Sequence, residues 1–224
     1  MTTIHSYDTG RYFEDYYPQC EVAHKIMDRE RVYWSVNSRH WTLAAQSSWY
    51  QGNEGGEVLR YAIQALDFEW LESGRFKKWL EWYWGSCSNT GGLSGYGDSG
   101  WGGAYPDAVW ALQVGAWYYQ EGWMQWMADR GSCPRRGGVN LGHSFYTGTV
   151  KPEPPAHLGD LYRTPLDDWM AEQLKPDFPR ARTFSKISIQ DGYQPGAPYL
   201  LLDGIAGFTH GHNSTNQIVC FTQN

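Results

Sequence analysis

His210 and His212 stand one residue apart in Phe208-Thr209-His210-Gly211-His212-Asn213-Ser214, and they are two of only seven histidines in the chain. An apolar run, Tyr199-Leu200-Leu201-Leu202-Asp203, precedes them, and a second, Gln217-Ile218-Val219-Cys220-Phe221, follows. Both imidazoles therefore belong to a strand edge or loop. In an extended segment residues i and i+2 point to the same side, so the two rings can line one site as a pair of metal ligands or as a base and a ligand. A structural zinc site needs about four ligands and a catalytic one about three plus water. No further cluster of ligand residues follows before Asn224. The plain alternative is a surface loop with two solvated histidines.

A second chemistry-bearing stretch is Gly91-Gly92-Leu93-Ser94-Gly95-Tyr96-Gly97-Asp98-Ser99-Gly100-Trp101-Gly102-Gly103-Ala104-Tyr105-Pro106. Long loops inside a compact domain are usually functional or disordered, and the aromatic residues favour an ordered one. Tyr96, Asp98, Trp101 and Tyr105 are its candidate binding or proton-transfer groups, although Asp98 could simply bond the backbone of its own loop. Pro106 suits a first helical position, which puts Tyr105 at a helix entrance.

The elements that must carry these residues fall in a helical half and a strand half. Thirteen Trp and sixteen Tyr supply flat amphipathic surfaces that fill helical cores and also stack on sugar rings. Val22, Ile26 and the run from Val32 to Val36 mark the first helical stretch, following a Tyr-rich and acidic segment at 11 to 20. Helical spacing continues over residues 39 to 50, breaks at Gly52 to Gly56, and resumes through Val58, Ala62 and Leu66. The glycines there are read as a corner or the mouth of a cleft. Phe76, Trp79, Leu80 and Tyr83 form one stripe of a helix ended by Gly85, and Val109, Leu112, Ala116, Tyr119 and Trp123 predict one helix from Pro106 to Trp126. From 131 the chain turns rich in Gly, Pro and Arg, with Lys151-Pro152-Glu153-Pro154-Pro155 as a stiff connector. Asp167 to Leu174 predicts a short helix with an acidic start. Beyond Pro179 the period is two, with strands at Ser185 to Gln190, Tyr199 to Leu202 and Gln217 to Phe221. The expected organisation is residues 1-150 helical, 151-180 linker and 181-224 the first strands of a sheet. Two or three strands are marginal alone, so the chain is expected to stop inside that domain.

A net charge of -6 without a basic block argues against nucleic acid, since phosphate binding needs clustered Lys and Arg. Cys20, Cys87, Cys133 and Cys220 have no metal spacing and leave disulfides open. No run approaches the roughly 20 apolar residues of a spanning helix, and the first residues do not read as a signal peptide.

This layout, with the segment YLLLDGIAGFTHGHNSTNQIVCFT at 199–222, resembles the heparinase II/III-like polysaccharide lyases. The resemblance implies an α+β fold, an incomplete (α/α) toroid of antiparallel helices followed by the start of an antiparallel β-sandwich. It implies β-elimination on a uronic-acid-containing polysaccharide. By the match His210 is the active-site histidine and His212 a zinc ligand, the remaining ligands expected beyond Asn224. The family pattern continues Ala-Asp after His-Gly-His, where this chain has Asn213 and Ser214. Tyr105 is the best positional match to the family's tyrosine base or acid, with Tyr96 next. The group that neutralises the substrate carboxylate falls near Gln46 to Asn53, so Gln46 and Asn53, with His40 as a further candidate, are the expected donors. Export of the full-length parent to the periplasm or medium is a further expectation. Two rival readings stand beside this one: a toroid glycoside hydrolase with paired carboxylates such as Asp98 and Glu54, and a non-catalytic glycan-binding protein stacking sugars on Trp49, Trp101 and Tyr105.

Overall fold

The computed structural model describes residues 4–39, 48–85, 87, 92–93, 102–103, 106–130, 150–155, 162–163, 186–190, 197–203 and 217–221. The chain divides into two compact units, Met1–Trp41 with Gly56–Arg75, and Thr42–Gly55 with Phe76–Asn224. Helices dominate the first half and antiparallel strands follow, the α+β order expected from the change of period.

In the first unit α1 (Ile4–Tyr16) and α2 (Glu21–Arg39) form a hairpin, joined by the second half of α3 (Ser48–Ala65) and the short α4 (Glu69–Glu72). Helix α1 covers much of the segment read only as a Tyr-rich stretch before the first helix. The aromatic residues of that segment give no inward stripe because they do not point inward: Tyr12, Phe13 and Tyr16, with Tyr17 just past the helix end, are all exposed, Tyr16 by 69%. Tyr7 is buried instead, and it meets Tyr61 edge to face at 5.4 Å, while Tyr61 stacks on Trp34 at 5.8 Å. On α2 the buried residues Ala23, Met27, Glu30 and Trp34 recur at three- and four-residue steps, the period of one helix face.

A polar clamp fixes this hairpin. Glu14 of α1 accepts from Arg31 of α2 at both carboxylate oxygens and faces His24 Nδ1 at 3.3 Å, while His24 Nε2 lies 2.7 Å from the Pro18 carbonyl in the turn. An imidazolium donates to both acceptors at once. The Pro18 carbonyl and then Glu14 hold the His24 pKa above its ordinary value of 6.5. Arg31, and less so His24, hold the Glu14 carboxyl below its ordinary value of 4.5. A raised folded-state pKa means that the His24 contribution is complete below pH 6.5 and is lost as pH rises through the folded value. The Glu14 contribution is complete above pH 4.5 and is lost as pH falls through its lowered value. Thermal melting across this range is therefore expected to show stability falling from mildly acid to alkaline pH, with a smaller fall in His24→Ala.

Helix α3 ends at a residue suited to glycine but occupied by leucine. Leu66 has φ 54 and is 75% exposed, and the next amide, Asp67 N, bonds back to the Ala62 carbonyl at 3.0 Å. The left-handed conformation costs a non-glycine residue about 1–2 kcal/mol. Leu66→Gly is expected to raise the unfolding free energy by about 1 kcal/mol, read from urea midpoints.

The second unit is built on α5 (Arg75–Gly85), α6 (Pro106–Tyr119) and α7 (Gly122–Arg130). The expected α5 stripe is buried, but so are Trp82 and Trp84, so this helix is enclosed on more than one side. The glycine-rich corner expected at 52 to 56 is absent, since α3 runs through it. Gly55 serves packing rather than turning. A methyl at Gly55 would stand 2.1 Å from Cζ2 of Trp79, so the indole lies directly against the α3 backbone. Gly115 plays the same part on α6, where a methyl would meet Leu80 Cδ1 at 2.5 Å and Met124 Sδ at 2.8 Å.

The single helix expected from 106 to 126 is two helices. Pro106 opens α6 as expected, but Gln120 takes φ 56 and interrupts the run before α7 begins. The apolar period continues across the break, and so it concealed it. Backbone from the proline-rich segment lies against the start of α7: Glu153 N donates to the Gly122 carbonyl at 3.1 Å, and a methyl at Gly122 would meet the Lys151 carbonyl at 2.5 Å.

Short strands β1 (Gly92–Leu93) and β2 (Gly102–Gly103) pair antiparallel. Strands β3 (Tyr162–Arg163), β4 (Lys186–Gln190), β5 (Tyr199–Asp203) and β6 (Gln217–Phe221) form a second antiparallel sheet in chain order. The three later strands match the period-two segments, while β3 comes from the stretch read as linker. In β4 the polar residues turn inward: Ser188 and Gln190 are each 2% exposed and Ile189 is 42% exposed. The short helix expected at Asp167 to Leu174 lies outside the described residues.

Candidate functional site

Two parts of the second unit bear on the chemistry expected of the chain. The first is the joint between helix and sheet. Gln190 Nε2 reaches the carbonyls of Cys87 at 3.1 Å and Gly85 at 3.5 Å, tying β4 to the C-terminal end of α5. The Gly85 carbonyl needs a donor because the last turn of a helix leaves it without an intrahelical partner, and the Cys87 carbonyl follows just beyond the helix end. The Gln190 Oε1 and Ser188 Oγ atoms on the same strand face are buried without a hydrogen-bond partner among the described residues. Tyr199 lies opposite Gln190 and Leu201 opposite Ser188, and both are buried. This face of the sheet is thus the covered one.

The glycine-rich segment begins six residues beyond Gly85. Pairing of Gly92 with Gly103 and of Leu93 with Gly102 brings its two ends together, so the stretch 94–101 is the connection of a small hairpin. Tyr96, Asp98, Trp101 and Tyr105 themselves lie outside the described residues, as do Gln46, His40, His210 and His212. Asn53 and Glu54 fall on the helix α3, with side chains outside the described part. On the sheet, Asp203 pairs with Gln217, so residues 204–216, with both candidate histidines, connect the neighbouring strands β5 and β6. Lys186 pairs with Asp203 at that same end, and Gln190 marks the other end, roughly 13 Å away at strand rise.

The second part was not foreseen from sequence. Lys77 of α5 forms an ion pair with Glu121 Oε1, and Trp123 Nε1 donates to Glu121 Oε2. Glu81 is one helical turn beyond Lys77. Burial raises the Glu81 carboxyl above its ordinary value of 4.5, with Lys77 opposing the shift and Glu121 adding to it. Burial also raises the Tyr119 phenol. Glu81, raised by burial, and Glu121, paired with Lys77 and Trp123, thus stand in different surroundings. Lys77 and Glu121 are 44 positions apart, and only the turn after α6 brings them together.

The buried thiol of Cys87 is pushed up by desolvation, which makes it a poor nucleophile. Cys20 and Cys87 are free thiols. Among the described residues no group of three or more His, Cys, Asp or Glu could hold a metal. The sequence pair His210 and His212 supplies about half of a closed zinc site, so no chemical step is assigned to a metal. Among the described residues no helix is long and apolar enough to cross a membrane. No protein-family model, curated protein or solved structure matches this sequence.

Proposed function

We propose that this protein acts on a uronic-acid-containing polysaccharide by β-elimination, with a partial (α/α) toroid in its helical half and the first strands of a β-sandwich in its C-terminal part. The observation that carries the reading is the order of elements together with the β5–β6 pairing. Aromatic-cored helices precede an antiparallel sheet, and the His-x-His segment joins two of its neighbouring strands.

Elimination sets three tasks. The proton on C5 is weakly acidic while the adjacent carboxylate is charged, so amide donors, here Gln46 and Asn53, must offset that charge. Tyr105 removes the C5 proton, the C–H electrons form the C4–C5 double bond, and the C4–O bond breaks. His210 gives a proton to the departing oxygen. Tyr96, Asp98 and Trp101 hold the sugar rings, the aromatic residues by stacking. His212 is the residue that would ligate a zinc ion, whose part in this family is structural. Formation of unsaturated product from uronate polysaccharides tests the proposal.

Hydrolysis by paired carboxylates is a second reading, and the Glu81 and Glu121 pair favours it over the Asp98 and Glu54 pair. Glu81, whose carboxyl burial raises above its ordinary value, would protonate the glycosidic oxygen, and Glu121 would activate water or attack the sugar. Such a product has a new reducing end and no double bond.

A further inference from the structure

Helices α1 and α2 bound a cleft of about 760 Å³, within the roughly 300–1,000 Å³ of small-molecule sites. The short turn between them makes the hairpin antiparallel. A methyl at Gly10 would meet Met27 Sδ at 2.6 Å and Ile26 Cγ2 at 3.3 Å, which sets the middle of α1 against that part of α2. Toward the turn the lining is Phe13 and Val22, with Ile26 beside Gly10, and all three apolar side chains are exposed. Away from the turn it is Ser6 and Thr9 on α1 and Arg29 on α2. The cleft thus has an apolar end and a polar, cationic end. Lys25, one helical turn before Arg29, adds a second exposed cation.

The one acid in this lining, Glu30, presents no charge to a ligand. It is completely buried and both oxygens are taken, Oε2 by Trp34 Nε1 and Oε1 by Arg29 Nη2 at 3.4 Å. Its effect is to anchor Arg29, whose side chain is 73% exposed and keeps its other donors free to face the cleft. We propose that the cleft binds a medium-chain aliphatic carboxylate. The chain lies along Phe13, Val22 and Ile26, and the carboxylate meets Arg29 and Lys25, beside the hydroxyls of Ser6 and Thr9. Charge complementarity selects this head group: an alkylammonium would face two cations, and a neutral head would leave their donors to water. From Ser6 to Phe13 is roughly 10 Å at helical rise, about the reach of an extended eight-carbon chain. The inference does not depend on elimination chemistry, since it concerns a different unit and different residues.

Calorimetric titration of the whole protein with octanoate, octanamide, octylammonium and acetate tests it. Saturable binding of octanoate is expected, at least about tenfold tighter than any of the other three. Lys25→Glu reverses an exposed charge, and it should weaken octanoate by about tenfold or more while improving octylammonium. Ile26→Trp fills the cleft from a partly exposed wall and should abolish binding with the helical circular dichroism retained. If Lys25→Glu fails to fold, Ile26→Trp decides. No saturable heat with octanoate at about 10 mM, equal binding of octanamide or octylammonium, or full binding by Ile26→Trp would overturn the proposal. So would a dimer in sedimentation that Ile26→Trp disperses and octanoate does not, which would assign this face to a second copy of the chain.

Discussion

Trp79→Ala is expected to lower the unfolding free energy by about 3–5 kcal/mol, the range for removing a buried aromatic side chain. Trp79 is wholly buried and is the centre of the aromatic column on α5. Phe76 stacks against it with centroids 6.2 Å apart and Tyr83 at 5.5 Å. On its other side lies the backbone of α3 at Gly55. The surrounding rings cannot all collapse into the space of an indole, so a cavity term adds to the lost transfer energy. Gly55→Ala attacks the same contact from the other side. Its new methyl overlaps the indole, and overpacking of this kind costs typically about 1–3 kcal/mol. The two changes should not add: with the indole gone, the Gly55→Ala cost should shrink or reverse sign. Urea denaturation of both single variants and the double variant measures this coupling. Additive losses would mean that Gly55 does not serve the approach of Trp79.

Tyr105→Phe is expected to lower elimination by about 10²–10⁴-fold, the usual contribution of a positioned acid or base. The substitution removes one hydroxyl and keeps the ring at the helix entrance, so melting temperature should hold. The loss should fall on kcat with KM little changed, because proton abstraction belongs to the transition state rather than to substrate binding. His210→Ala should give a loss of the same order. If both variants retain activity within about tenfold of the parent, neither residue is the proton-transfer group and the assignment from the His-x-His resemblance fails.

Residue spacing revealed some elements well and others poorly, for identifiable reasons. Gly85 ends α5 and Pro106 opens α6 because a helix stop and a helix start have local chemistry. Strands β4, β5 and β6 follow from alternation, a local property. Alternation does not say which face is inside, however, and β4 hides Ser188 and Gln190 because the end of α5 needs donors that isoleucine lacks. Gly52 to Gly56 looked like a corner because glycine is a poor helix former, but its cost is offset where a tryptophan must touch the backbone. Helix α1 went unrecognised because Tyr12, Phe13, Tyr16 and Tyr17 lie on its exposed side, leaving little apolar period to find. The candidate site divides in the same way. The strands flanking the His-x-His segment were legible from alternation, and they pair, while the segment itself lies outside the described residues. Glu81 with Glu121, and Glu30 in its cleft, gain their character from burial and from residues remote in the chain, which spacing does not encode.

The central claim is elimination, and ultraviolet absorbance of the conjugated product tests it most directly. The full-length protein would be incubated with heparan sulfate, chondroitin, hyaluronan and alginate, with reducing ends counted in parallel. Elimination predicts absorbance that grows with time on at least one of these substrates and vanishes in Tyr105→Phe. New reducing ends without absorbance would contradict it and turn attention to Glu81 and Glu121, while a flat trace by both readouts on every substrate would contradict catalysis on this class of polysaccharide altogether.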